Sequence, residues 1–549
     1  MTEVLYLRES ERSTVTYSFI LPSYQLKPFE REIAQLEVAH LTGVEPSAPT
    51  PRELQVRVSK RIPETTLRRM GSFEGVVVDD GWSSVQIETD QHILEVAGRR
   101  VGNGKSPAKK VSRPKHYLLH DLHSYKGRYY PQLIKPLINF LDGPDQTVLD
   151  PFVGCGTTLV ESKLAGMNSV GVDMNPIAYF ISRVKMECFE MNANTTNLEL
   201  DNLLARLHRR VPRERASNQL LVNDHGDLEE MAKPSEERPP LIPNSDLWFS
   251  PGVLEELLVV KNAIMELGSP DAGDFALLAL SAIVKRVSNW DPGSVRQLLL
   301  KEPRKDVQAL EIFEGKLKKN MAALKEFDRI RNRLSFKPSA KWRVEQKDSR
   351  DLGFIGDGEI DMVVTSPPYA TALPYIDTDR LPMYLLGLLN PESSKKIKAK
   401  LIGERDLPDR ERVTVEDEFA ARYNELMMPK QAKELISKIL DLNRRTNVGF
   451  RRRNVAANLY RYFSGMSKTI SELARVLKRG GSCAMVIGDN YTIAGGDTRV
   501  DIPTTKLLEQ TMELQGLHVA RRIVLTPTPA YMRYANQMIQ NEYVVIARH

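Results

Sequence analysis

Residues 147–158 read TVLDPFVGCGTT, and residues 169–173 read SVGVD. The first stretch is an apolar strand ending in Asp150, then a turn carrying Gly154 and Gly156, then a helix (LVESKLAG) closed by Gly166. The second is another strand, ending in Asp173. This pattern is half of a doubly wound α/β sheet. Glycines in such a turn let the backbone approach a ligand closely, and an acid about twenty residues on, at the next strand end, is placed to bond a ribose diol. A nucleoside-bearing cofactor is implied. The spacing is not GxGxxG, and a glycine turn also serves plain strand-to-helix packing, so the stretch needs a second motif beside it. Cys155, between the glycines, reads as a small filler of space, since no partner base is visible.

Five more short strands rich in β-branched residues follow: WRVEQKD, IDMVVT, CAMVIGDN, LHVARRIVL and NEYVVIAR. The expectation is an α/β protein with a Rossmann-like sheet of seven strands, helical insertions and a small N-terminal α/β domain. Residues 1–100 form that N-terminal domain, of unread duty, and 101–114, rich in Gly, Lys, Ser and Pro, a linker. Residues 115–210 hold the first half of the sheet domain with the cofactor site, and 211–340 a Pro-rich connection followed by a helical insertion. Residues 341–380 carry the second half with its catalytic loop, 381–453 a basic helical insertion, and 454–549 the last strands.

The second motif closes the strand IDMVV: Thr365, Ser366, Pro367, Pro368, Tyr369. It stands at the carboxyl edge of the sheet, where ligands bind in such folds. Two prolines remove two backbone donors and fix φ, so the loop is rigid and rich in acceptors. The Ser366 hydroxyl and the Pro367 carbonyl suit an exocyclic amino group, and Tyr369 offers a ring face to a planar base.

Composition narrows the classes. The 549 residues are 41% hydrophobic and 27% charged, which excludes extended disorder and allows more than one core. Cys155, Cys188 and Cys483 are too few for a disulfide framework, and neither they nor His120 and His123 have metal-ligand spacing, so no metal is expected. No apolar run reaches about 18 residues and the N-terminus lacks a signal-like segment, so a cytoplasmic location without a membrane partner is expected. Against 71 Asp+Glu, 77 Lys+Arg give +6, which permits a nucleic-acid partner without demanding one.

Taken together, these motifs resemble the S-adenosylmethionine-dependent amino-methyltransferases of DNA, the N4-cytosine and N6-adenine group. The resemblance covers most of residues 115–195 and 342–549. It implies S-adenosyl-L-methionine as cofactor, with Asp150, Phe152, Gly154, Gly156 and Thr157 in its loop and Asp173 and Asn175 (GVDMNP) at its ribose. Tyr125 and Lys126, in HSYKGRYYPQL, are implied to hold its methionine part, and Asp348, in EQKDS, to meet its adenine. Ser366, Pro367, Pro368 and Tyr369 match the catalytic tetrad. The target amine then attacks the sulfonium methyl directly. Carbon-5 cytosine chemistry would need a thiolate nucleophile, and the sequence contains no Pro-Cys dipeptide.

A serine before the two prolines is typical of cytosine-N4 members, whereas adenine enzymes more often carry Asp or Asn. DNA is the expected partner, with Arg286 and Arg296 in the first insertion and Arg444, Arg451, Arg452 and Arg453 in the second as candidate contacts, each equally readable as a solvated helix face. A restriction endonuclease is a further expected partner, and the oligomeric state is not encoded in any motif. Two alternatives stay open. Residues 17–43 resemble the N-terminal part of tRNA guanosine-N2 methyltransferases, which would make RNA the substrate, and a catalytically silent nucleic-acid-binding protein would keep the same fold.

Overall fold

The computed structural model describes residues 14–102, 117–141, 146–210, 242–250, 252–292, 298–370, 375–404, 407–425, 427–525 and 541–549. The N-terminal unit is a five-stranded antiparallel sheet in the order β2-β3-β1-β4-β5, built from Val15–Ile20 (β1), Ser47–Thr50 (β2), Glu53–Val58 (β3), Gly75–Asp79 (β4) and Ser84–Glu88 (β5). Strand β1 alternates strictly, burying Val15, Tyr17 and Phe19 on one face, which is what period-2 patterning produces. Helices Pro28–Thr42 (α1), Glu64–Arg68 (α2) and Asp90–Gly102 (α3) complete it.

The larger sheet has seven strands in the order β13-β14-β10-β9-β6-β7-β8. They are Thr147–Asp150 (β6), Asn168–Val172 (β7), Trp342–Glu345 (β8), Ile360–Thr365 (β9), Leu477–Gly488 (β10), His518–Leu525 (β13) and Glu542–Arg548 (β14). A separate hairpin joins Asn490–Ala494 (β11) to Thr498–Ile502 (β12). Strands β8 to β10 pair in parallel through β7, β6 and β9, and only β14 runs against both of its neighbours. The chain travels outward from β6 to β8 and returns to β9 beside β6, so the strand order reverses between those two. The glycine turn follows β6 and the Ser-Pro-Pro-Tyr loop follows β9, so both motifs leave the sheet side by side at its switch point.

Helices cover both faces. Pro131–Leu141 (α4) lays Ile134 and Ile138 on one face, and α1 of the N-terminal unit adds Phe29 and Ile33 to the same core. Thr157–Leu164 (α5), Pro176–Glu187 (α6) and Ala193–Arg210 (α7) belong to a second core, and Phe463, Met466 and Ile470 of Val455–Val476 to a third.

Two boundaries differ from the sequence reading. The helices Val253–Met265, Pro270–Val287 and Ala309–Arg331 were expected as an insertion of their own. They instead share one core with α5, α6 and α7, burying Phe275, Leu280 and Phe313 beside Ile181 and Leu203. Their apolar stripes are too wide to leave facing water, so they complete the sheet domain. Likewise α3 runs through residues 101 and 102 and sends Ile93, Leu94 and Ala97 into that core; the rest of the expected linker lies outside the described residues. Glu37 of α1, buried, ties the units together: it accepts from the Gly71 N–H (2.7 Å) and from Asn139 Nδ2 of α4 (2.8 Å).

Gly98 marks where α3 docks. A Cβ there would stand 2.5 Å from Tyr117 Cβ, closer than two carbons can pack. Gly98→Ala is therefore expected to lower stability by about 1–3 kcal/mol through overpacking, although the same change in an open helix stabilises by about 0.5–1 kcal/mol. Thermal denaturation reads the sign.

Candidate active site

The site is built around Asp150, which closes β6 and is fully buried. Its Oδ2 accepts from Thr158 Oγ1 (2.6 Å) and Tyr129 OH (2.9 Å), and its Oδ1 from Thr365 Oγ1 (2.6 Å) and the Phe152 N–H (3.1 Å). Burial pushes its carboxyl above the usual range, and these four donors pull it back. The donors come from the turn, from the start of α5, from the 123–133 segment and from the end of β9. Asp150 was expected to touch the cofactor. It has no exposed surface, and its oxygens, shared among four donors, tie the glycine turn to the end of β9.

The turn itself needs its glycines. Gly154 (φ +50°) and Gly156 (φ +80°) lie in the left-handed region, and a Cβ on Gly156 would come within 3.0 Å of Ser182 Cβ. The Gly154 N–H donates to Asp173 Oδ2 (3.0 Å) and the Asn175 N–H to Asp173 Oδ1 (2.9 Å), while Asn175 Oδ1 accepts from the Ile177 N–H at the start of α6. Burial raises the Asp173 carboxyl to about 6 despite those two donors. Tyr125 stands against Gly154, 3.4 Å from where a Cβ would be, and its OH lies 3.5 Å from Asn175 Nδ2. Tyr125, Gly154, Asp173 and Asn175, chosen from separate parts of the sequence, thus form one wall. Thr157, buried, opens α5 and Phe152 packs half-buried beside the turn. Lys126 is half-buried, and burial together with nearby Lys285 holds its ammonium below the usual range.

Asp348, expected at the adenine, is partly buried and paired. Arg350 grips it from both sides, Nε to Oδ1 (2.9 Å) and Nη2 to Oδ2 (2.6 Å), and also donates to the Lys400 carbonyl (2.7 Å). Burial pushes this carboxyl up, but the guanidinium outweighs it and the net shift is downward. The cause is local: an arginine two residues away forms a bidentate pair.

In the catalytic loop, Ser366 Oγ donates to the Val486 carbonyl of β10 (3.2 Å). The Tyr369 N–H donates to Tyr375 OH (3.2 Å), and Tyr369 OH donates to Glu542 Oε1 at the start of β14 (2.5 Å). Asn490 Nδ2 donates to the Ala370 carbonyl. Gly403 abuts the loop from the second helical block, its position such that a Cβ would lie 3.3 Å from Pro368 Cβ. Sequence reasoning missed Tyr129, Thr365 as a tether, Tyr375, Gly403, Asn490 and Glu542. Tyr129, Thr365, Asn490 and Glu542 lay within stretches already quoted, but nothing local marked them for the site; Tyr375 and Gly403 lay outside those stretches.

Among the basic candidates, Arg286, Arg444, Arg451, Arg452 and Arg453 are all exposed, and Arg452 Nη1 donates to the Gly496 carbonyl (2.5 Å) beside the β11–β12 hairpin. Arg296 lies outside the described residues. His120 is buried with Nε2 2.7 Å from Glu161 Oε1, a core pairing, and no group of three or more His, Cys, Asp or Glu among the described residues is placed to hold a metal ion. No described helix is long and apolar enough to cross a membrane.

A glycine turn with a strand-end acid, beside a rigid Ser-Pro-Pro-Tyr loop at the switch point of a seven-stranded sheet, defines a Rossmann-like methyltransferase fold. Residues 62–182, which include the turn and Asp173, match the family model of N6 and N4 DNA methylases. Over 323 residues the chain is 25% identical to the type II methyltransferase M.MvaI of Kocuria varians, covering 56% of this chain and 66% of that protein, just under two thirds of its length. Over 413 residues it is 26% identical to the type II methyltransferase M.BsoBI of Geobacillus stearothermophilus, covering 72% of this chain and 78% of that one. A short stretch of 79 residues is 37% identical to the type II methyltransferase M.MjaII of Methanocaldococcus jannaschii, 14% of either protein. The chain is thus similar to DNA methylases around the glycine turn and to type II methyltransferases over more than half of its length.

Asp150→Ala removes the shared acceptor of three hydroxyls and an N–H, of which Thr158 keeps another, the Val364 carbonyl, so a loss of about 1–3 kcal/mol for each group left unsatisfied is expected. Denaturant unfolding measures it, and the isosteric Asp150→Asn should lose less.

Proposed function

We propose that this chain transfers a methyl group from S-adenosyl-L-methionine to an exocyclic amino group of DNA in the cytoplasm, cytosine N4 ahead of adenine N6. One observation carries the reading. The Ser366 hydroxyl lies between the Val486 carbonyl (3.2 Å) and the Tyr369 hydroxyl, so its proton has acceptors on the protein side and its lone pairs are left for an incoming amine. An acceptor, not a donor, is what an amino group requires.

The cofactor fits the residues present. The Gly154 and Gly156 turn has no Cβ to obstruct a close approach, and the mostly buried carboxylate of Asp173 suits two ribose hydroxyls. Tyr125 lines the same wall, and Lys126 is near enough in sequence to meet a carboxylate. When bound, S-adenosyl-L-methionine supplies an electrophilic methyl on a sulfonium. The protein's part is orientation: Ser366 accepts from the amine and turns its lone pair, the two prolines keep the loop from yielding, and Tyr369 stacks on the base. No covalent intermediate with the protein is invoked, and Cys155, buried within the turn, takes no part. A base in duplex DNA reaches this pocket by flipping, which costs a few kcal/mol of unstacking offset by the stacking on Tyr369.

The serine ahead of Pro367 supports cytosine, since it leaves an uncharged acceptor at the amine. The type II relatives support a paired restriction endonuclease reading the same site. Exposed Arg286, Arg444, Arg451, Arg452 and Arg453 are proposed to meet the phosphate backbone.

Incubation with labelled S-adenosyl-L-methionine and either unmethylated genomic DNA or total tRNA, followed by nucleoside analysis, tests the reading. N4-methylcytosine in DNA is expected; label confined to tRNA, or none at all with cofactor bound, would overturn it. Tyr369→Ala and Pro367→Ala are expected to cut transfer by about 100-fold or more while calorimetry still finds the cofactor bound. Asp173 binds ribose hydroxyls as the carboxylate, so cofactor affinity should fall as pH drops through about 6, and Asp173→Asn should bind weakly with no such dependence.

A further inference from the structure

We infer that Glu542 positions the catalytic tyrosine, a role that rests on Ser366 to Tyr369 being the transfer site. Glu542 opens β14 and is pinned from both sides, paired with Gly488 of β10 and with Leu525 of β13. One residue earlier, the Asn541 carbonyl accepts from the Asp489 N–H (2.9 Å). Its backbone therefore has no freedom to drift. The side chain reaches across to Tyr369, whose hydroxyl donates to Oε1 at 2.5 Å, within the range of a charge-assisted O–H···O⁻ bond.

Tyr369 is thereby held at both ends, its N–H by Tyr375 OH and its ring tip by Glu542. A ring that only supplied apolar area would need no partner for its hydroxyl, and phenylalanine would serve. A fixed ring plane matters because the base must lie with its amine in line with the methyl, and a small tilt of the stacking surface moves that nitrogen out of line. The carboxylate sits largely out of water, and Lys27, at the start of α1, is the cation that opposes the cost of burying it. The N-terminal domain, for which the sequence suggested no duty, thus contributes a charge behind the active site.

The test is a mutant cycle on transfer to unmethylated genomic DNA, with Glu542→Ala, Glu542→Gln, Tyr369→Phe and the double variant Tyr369→Phe/Glu542→Ala. Glu542→Ala is expected to lower kcat about 10- to 100-fold while KM and Kd for S-adenosyl-L-methionine stay within about twofold. Glu542→Gln should recover most of the rate, because its amide oxygen still accepts. Tyr369→Phe should lose at least as much as Glu542→Ala, since it also removes the hydroxyl's bond with Ser366, and the double variant should lose no more than Tyr369→Phe alone. A wild-type kcat in Glu542→Ala, or a double loss equal to the product of the single ones, would overturn the inference. If Glu542→Ala does not fold, Glu542→Gln against Tyr369→Phe decides it: a Gln variant as slow as the Phe variant sinks the positioning role. No transfer by the wild-type protein would instead overturn the proposed function itself, and this role with it.

Discussion

A single buried carboxylate, that of Asp150, organises the catalytic end of the sheet. A polar group without solvent must be matched by partners, and its four donors come from the glycine turn, the helix that follows it, the preceding loop and the end of β9. Each donor satisfied there fixes the element that carries it. The glycine turn and the Ser-Pro-Pro-Tyr loop consequently keep one separation, as the proposed in-line transfer would require. A hydrophobic residue at this position would pack, but it would not lock the register of these elements.

Around that anchor the fold spends its apolar surface economically. The central strand β9 buries five of its six residues, so both sheet faces need covers. One face takes α4 together with α1 of the N-terminal unit, and the other takes helices drawn from all along the chain. What reads in sequence as insertions is structurally the second cover of the sheet. Gly403 shows the consequence, because a turn from the second helical block reaches back against Pro368 and closes the side of the loop.

The chemistry asks little of any one side chain. In the proposed reading Ser366 would offer lone pairs to an amine, Tyr369 a ring face held by its neighbours, and Asp173 a carboxylate whose charge burial makes costly. All three are ordinary residues given direction by what surrounds them. Electrostatic preorganisation of this sort, rather than a nucleophile or a strong base, is what a transfer from an already activated methyl group uses.

The sequence by itself determined the sheet's seven strands, the glycine turn with Asp173 and the Ser-Pro-Pro-Tyr loop, because each rests on contiguous residues with a local physical signature: strand alternation, a turn that favours glycine, prolines that fix φ. Tertiary structure alone decided which groups do what. Asp150 meets Thr365 across 215 residues and Tyr369 meets Glu542 across 173, separations at which no spacing rule operates. The same holds for Asp348, whose pairing with Arg350 depends on rotamers, and for the helices of 253–331, whose stripes announced burial without saying against what. Local patterns fix the conformation of a segment; only packing chooses its neighbours, and in this protein the neighbours set the charge and direction of every group in the site.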